Sequence, residues 1–204
     1  LIKKVKKVLK AKGAVIVDVE FNISSDYKAA KEFYVLLYEF NVGMKSYLEG
    51  RDLPYETLED IVAFNEANAD TVLKHFGQEI FLESLKATDT ERYLKEREDI
   101  GRLAKAQIDS VLDANNLDVI IGLTRNPGWL TDLENGDSRG DGGISWANGG
   151  LSAVAGYPHI TIPLDFVNDL PVGVSFLGTA WDEANLINAA YSFEQENKFF
   201  PIPK

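Results

Sequence analysis

Apolar positions change their spacing several times along the chain, and each change predicts an element. Ile2, Val5, Val8 and Leu9 recur at helical spacing among lysines, and Gly13 predicts the C-terminal stop of a helix over residues 2–12. Ala14 to Val19 is a short β-rich run, so the chain opens as a helix–strand unit of the α/β kind. Asp26 predicts the N-cap of a long helix with Phe33, Leu37, Phe40 and Met44 on one face, ended by Gly50 and Pro54. Thr57 followed by Asp60 reads as a capping box with Asp in place of the usual Glu or Gln, opening a helix through about Asn68. Residues 70–86 carry a weaker helical pattern interrupted at Gly77. From Thr90 to Ala114, Ile100, Leu103, Ala104, Ile108 and Val111 form a strong apolar stripe, which Asn115 and Asn116 end. Asp118 to Leu123 is a short apolar run suited to a buried strand. A last helix from about Asp182 to Asn197 carries the stripe Leu186, Ala190 and Phe193, with acidic residues in its first turn.

The clearest strand pattern lies between Ala155 and Gly178. Ile160, Ile162 and Leu164 alternate with Thr161 and Pro163, and Val172, Val174 and Phe176 alternate with Gly173 and Ser175. Asn168 and Asp169 between the two runs are turn residues, so the segment predicts a hairpin-like pair of strands. Pro158 and Pro163 belong at strand ends or on an edge. Gly156 and Gly178 permit sharp bends or a close backbone approach.

One segment breaks this rhythm. Asn126 to Gly150 holds seven of the 16 glycines and two of the three tryptophans, Trp129 and Trp146. Long loops of this kind are uncommon in compact domains and are often functional. This one follows a predicted strand end, where α/β proteins place ligands. Asn126, Gly128, Trp129, Asp137 and Trp146 are therefore the candidate substrate-binding residues. The competing reading is a surface loop whose tryptophans pack back onto the core.

Composition narrows the functional classes. The 204 residues are enough for one sizeable domain, and 45% hydrophobic with 26% charged residues is ordinary globular usage. A net charge of −11 argues against a nucleic-acid surface, which needs a basic footprint. Six of the 21 basic residues lie in the first twelve positions, leaving fifteen against 32 acidic ones. The Lys-rich helix reads as a solvated face of an amphipathic helix, with a membrane-surface element as the alternative. With no cysteine there is no disulfide framework, Cys-based zinc site or thiol nucleophile, a composition compatible with a cytoplasmic setting. No apolar run approaches the roughly 18 residues of a membrane span. The chain begins at Leu1 without Met or a signal peptide.

No complete catalytic constellation is present. Ser145 in Gly-Ile-Ser-Trp-Ala and Ser175 in Gly-Val-Ser-Phe-Leu do not complete a Gly-x-Ser-x-Gly nucleophile elbow. Ser24 and Ser25 read as the approach to the Asp26 cap. His75 and His159 each lack a sequence partner for base catalysis and read as structural. Asp137, Asp141 and Gly142 are not a calcium loop, because Arg139 and Asn148 occupy ligand positions. Neither a metal nor a cofactor is expected.

The wording of the chain resembles the amidase signature family. The likeness runs in order through Leu36-Leu37-Tyr38-Glu39-Phe40 with Tyr47-Leu48, then Leu58-Glu59-Asp60-Ile61-Val62-Ala63-Phe64-Asn65 and Phe76-Gly77-Gln78-Glu79. It continues through Leu117-Asp118, the Asn126 to Trp129 stretch, Ala155-Gly156-Tyr157-Pro158, Leu170-Pro171-Val172-Gly173 and Phe193-Glu194-Gln195. Such proteins cleave or transfer amides through a Ser–cis-Ser–Lys triad, with Lys as base and an acyl-enzyme intermediate. The Gly-Gly-Ser-Ser-Gly-Gly-Ser signature and the Lys have no counterpart in this sequence, so no catalytic residue carries over.

The resemblance implies an α/β fold with a mixed β-sheet flanked by helices, with residues 1–204 a single domain forming the C-terminal part of an amidase. The expected substrate is a small or peptide-like amide, and the expected packing partner is the N-terminal half, without nucleic acid or membrane. The alternatives are a free-standing non-catalytic binding module and an amidotransferase subunit. A chain lacking half of a continuous sheet is expected to expose strand edges and apolar surface, and so to self-associate or bind apolar dyes.

Overall fold

The computed structural model describes residues 1–22, 24–30, 32–134 and 149–201. Its contacts divide the chain into two compact units. Leu1–Ala29, Gly101–Trp129 and Gly140–Lys204 form the first, and Ala30–Ile100 with Leu130–Arg139 the second.

The first unit is built on three strands, β1 (Ile120–Leu123), β2 (His159–Val167) and β3 (Leu170–Leu177), in the order β1-β3-β2. Both ladders are antiparallel, so β1 and β2 run the same way on either side of β3. The predicted hairpin is β2–β3. Asn168 and Asp169 have φ of 49° and 62°, the two left-handed positions of a tight type I′ turn. β2 is an edge strand and is irregular between Pro163 and Asp165, the settings in which a sheet tolerates proline.

Alternation along these strands divides the sheet into two faces. Ile162, Leu164, Val174 and Phe176 lie on one, covered by α1 (Ile2–Ala11) through Val5 and Leu9 and by α9 (Glu183–Asn197) through Leu186, Ala190 and Phe193. Phe176 and Phe193 are fully buried with ring centroids 6.1 Å apart. Each large side chain buried this way stabilises the fold by about 1.5–3 kcal/mol. On the other face Ile120 and Leu177 meet Ala104, Ile108 and Leu112 of α7 (Thr90–Asn115), together with Leu151 and Ala155 of α8 (Gly150–Ala155).

The lysines of α1 have acidic partners within the same unit. Lys4 Nζ lies 2.8 Å from Asp165 and Lys12 Nζ lies 2.9 Å from Glu196, while Lys6 pairs with Asp18. These pairings support the solvated-face reading of the helix over the membrane-surface one. No described helix is long and apolar enough to cross a membrane.

Two local expectations are corrected. Ala14 to Val19 forms no strand: among the described residues it has no ladder partner, Val15 is 89% exposed, and Ile16 packs against the core. The helix expected from Asp26 is two helices, α2 (Ser25–Ala29) and α3 (Glu32–Leu48). Ser24 is the residue that caps, its Oγ accepting the Tyr27 N–H at 3.1 Å, and Asp26 sits in the first turn where its charge complements the dipole.

The second unit is helical: α3, α4 (Leu58–Ala67), α5 (Ala69–Val72), α6 (Glu79–Lys86) and the beginning of α7. The capping box forms as read. Thr57 N–H donates to Asp60 Oδ2 at 2.9 Å and Asp60 N–H to Thr57 Oγ1 at 3.2 Å. The backbone N–H of Glu56 leads the donors that hold the Asp60 carboxyl below its usual range, followed by the Thr57 hydroxyl and N–H. The weak pattern over 70–86 resolves into α5 and α6, separated around Gly77. Phe40 of α3 stacks on Phe81 of α6 at 5.3 Å, while Phe33 and Leu36 of α3 stay exposed.

Candidate functional site

Past Ile120 and Leu177, the side chains on the same face of the first unit's sheet shrink to glycine and hydroxyl residues. Gly122 and Thr161 both pair with Ser175, so these three form one row across the sheet. Thr124 prolongs β1 by one bond, its N–H donating to Gly173 O at 3.0 Å. The fully buried Ser175 Oγ lies 2.7 Å from Thr124 Oγ1 and 3.1 Å from Thr161 Oγ1, a chain of hydroxyls spanning all three strands. A Cβ on Gly173 would come within 2.7 Å of Thr161 Cγ2 and 2.9 Å of Thr124 Oγ1. That close approach is the physical reason for glycine in Leu-Pro-Val-Gly.

The Ala-Gly-Tyr-Pro stretch turns the chain from α8 into β2. Ala155 is buried, and Gly156 takes a left-handed φ of 69° at the helix C-terminus. Tyr157 N–H closes the turn on Ser152 O at 2.9 Å. The Tyr157 hydroxyl donates to Asp109 Oδ2 of α7 at 2.8 Å, and Thr179 donates to the other carboxylate oxygen at 3.1 Å. Burial first, and the Asp109 carboxylate second, push the Tyr157 phenol above its usual range. At the other end of α8, Gly149 has φ of 92°, and a Cβ there would meet the His159 ring at 3.5 Å.

The sequence-selected residues divide in two. Asn126 and Gly128 are exposed on the stretch after β1. Trp129 is 41% exposed, with the Arg125 guanidinium 5.5 Å from its ring centroid. Asp137 and Trp146 lie outside the described residues. Thr124, Thr161 and Ser175 were not selected by the sequence reading. Their signal was the run of small and hydroxyl residues opposite the apolar positions of each strand, a pattern that by itself looks like a plain solvent face.

This arrangement can shape and hydrogen-bond a ligand but does not itself activate a nucleophile. Among the described residues, no Lys, His or carboxylate bonds to any of the three hydroxyls; Ser175 is shared between two threonines instead of a base. No described group of three or more His, Asp or Glu residues could hold a metal ion.

Comparison with known proteins gives this geometry its context. The family model Amidase matches residues 1–187. A probable amidase of Arabidopsis thaliana is 28% identical over 97% of this chain and 36% of its own length. A glutamyl-tRNA(Gln) amidotransferase polypeptide from Lysinibacillus sphaericus is 30% identical over 95% of this chain and 40% of its own length. In structure, the peptide amidase of Stenotrophomonas maltophilia superposes with a TM-score of 0.83 at 34% identity, covering all of this chain and 40% of the other. The chain thus spans about two fifths of the length of these relatives. Its order of elements, its Ala-Gly-Tyr-Pro turn and its close-packed Leu-Pro-Val-Gly strand are those of a known group: the chain belongs to the amidase signature family.

Proposed function

We propose that this chain is the C-terminal part of an amidase that hydrolyses a peptide-like amide, and that it supplies scaffold and substrate-pocket wall while the acyl-enzyme chemistry belongs to residues outside it. The observation that carries this reading is the full-length superposition on a peptide amidase of which the chain spans only 40%. The hydroxyl row is consistent with it, since its three hydroxyls are bonded to one another and not to a base. In this reading Asn126, Gly128 and Trp129, with Asp137 and Trp146, form the wall against the substrate. The Thr124–Ser175–Thr161 row holds the end of β1 in register, so that the stretch after it leaves the sheet at a defined place. The exposed Phe33 and Leu36 of the second unit are apolar surface of the kind that the rest of an amidase would cover.

An amidotransferase acting on charged tRNA is the less favoured reading. The net charge of −11 gives this region no basic footprint for a polyanion. The test starts with the coding sequence in frame upstream of Leu1, expected to encode the Lys and the Gly-Ser-rich signature. The polypeptide it encodes should release ammonia from a blocked peptide amide. Absence of the signature, or amide transfer to glutamyl-tRNA without peptide-amide hydrolysis, counts against the proposal.

A further inference from the structure

The outer edge of β1 borders an open cleft in the first unit. Because Thr124 N–H bonds to Gly173 O, the pairs Gly122–Ser175 and Ile120–Leu177 are the ones that exchange hydrogen bonds in this ladder. Val119 and Ile121 therefore aim their N–H and C=O away from β3. Among the described residues no backbone hydrogen bond reaches either of them from that side. There the structure has a cleft of about 420 Å³, bordered by residues 116–121 and by the irregular run Ala14 to Val19, with Leu9 and Phe176 beneath. Residues 15–19 likewise make no backbone–backbone hydrogen bond among the described residues. Two stretches of unpaired backbone thus flank one apolar floor, where unsatisfied peptide groups are costly and an added strand would satisfy both sides.

We propose that this cleft is a β-augmentation site, the seat of one extended strand with alternating apolar side chains, donated by the part of an amidase fold that this chain does not cover. The inference rests on the reading given under Proposed function, and the relatives' lengths identify the source: the chain spans 36% of the plant amidase and 40% of the peptide amidase. A strand seated there bonds to Val119 and Ile121 on one side and to residues 15–19 on the other, and turns alternate side chains onto Phe176 and Leu9. It explains why the β-rich Ala14 to Val19 run forms no strand here: its ladder partner is the absent one. Asp118 at the cleft favours a strand with basic ends.

The test is amide hydrogen exchange of the 1–204 chain by NMR, with the blocked peptide acetyl-Lys-Val-Thr-Val-Thr-Val-Lys-amide as probe and a proline-interrupted version as control. Saturating peptide should slow exchange at Val119 and Ile121 by about tenfold or more, and leave Ile120 and Gly122 unchanged. Ile121→Pro removes the outward donor without costing β1 a bond to β3, and should abolish the protection at Val119. Ile121→Ala keeps the donor and should retain it. No protection at saturating peptide, or equal protection by the control peptide, overturns the proposal. So does protection without peptide: independent of concentration it means that 14–19 closes the cleft itself, and rising with concentration it means a second copy. Because the readout needs no turnover, it stands apart from any failure to hydrolyse an amide.

Discussion

The Tyr157 hydroxyl donates to Asp109 Oδ2 at 2.8 Å, tying the turn between α8 and β2 to the middle of α7. Tyr157→Phe removes that donor and leaves Asp109 with Thr179 as its remaining described hydrogen-bond partner. The expected cost is about 0.5–1.5 kcal/mol, read as a lower urea midpoint with an unchanged slope. A variant as stable as the parent would show that the tyrosine is held by its ring alone.

Gly173 is the second place where a family residue has a mechanical reason. A methyl there would press on Thr161 and Thr124 at 2.7 and 2.9 Å. Gly173→Ala should therefore destabilise by about 1–3 kcal/mol, the usual range for overpacking. It should also disturb the Thr124 and Thr161 resonances in an NMR spectrum more than those of α9. An unchanged midpoint would mean that the three strands separate easily.

The hairpin turn leaves room for improvement. Asp169 holds φ of 62°, a conformation that costs an L-residue roughly 1 kcal/mol and glycine almost nothing. Asp169→Gly converts the turn to Asn-Gly, the preferred type I′ pair, and should raise the melting temperature. Asn168→Pro is the opposite control: proline cannot adopt positive φ, so it should unfold the hairpin or the chain.

Acid should weaken the attachment of α1. Lys4 is the main reason that the Asp165 carboxyl sits below its usual range, and the Phe166 N–H adds to it. A carboxyl depressed in the folded state contributes its full stabilisation above the unfolded value and loses it as pH falls through that range. Asp165 and Lys4 are both more than a third exposed, so the contribution at neutral pH is about 1 kcal/mol or less. Asp165→Asn should reduce stability slightly at neutral pH and flatten the acid limb of a stability–pH curve. A larger loss in acid than at neutrality would contradict the pairing.

Much of the fold was legible because it rests on local chemistry. The Thr57–Asp60 box, the Asn168–Asp169 turn, the long stripe of α7 and the stop at Gly13 each depend on neighbours within a few positions, and each forms. Ala14 to Val19 reads as a strand by composition, but strand formation needs an adjacent edge, and none among the described residues supplies it. The break between α2 and α3 was missed because Ser24 and Asp26 are both good caps, and only the Ser24 bond to Tyr27 decides between them. The hydroxyl row escaped notice for a different reason. Thr124, Thr161 and Ser175 are far apart in sequence, and their meeting is a product of register.

The central claim, that the chemistry lies outside this chain, is tested most directly by measuring ammonia released from a blocked peptide amide by purified, folded 1–204. The predicted rate is indistinguishable from buffer and unchanged by Ser175→Ala. Turnover above buffer that disappears in Ser175→Ala would place a working nucleophile in the hydroxyl row and contradict the claim.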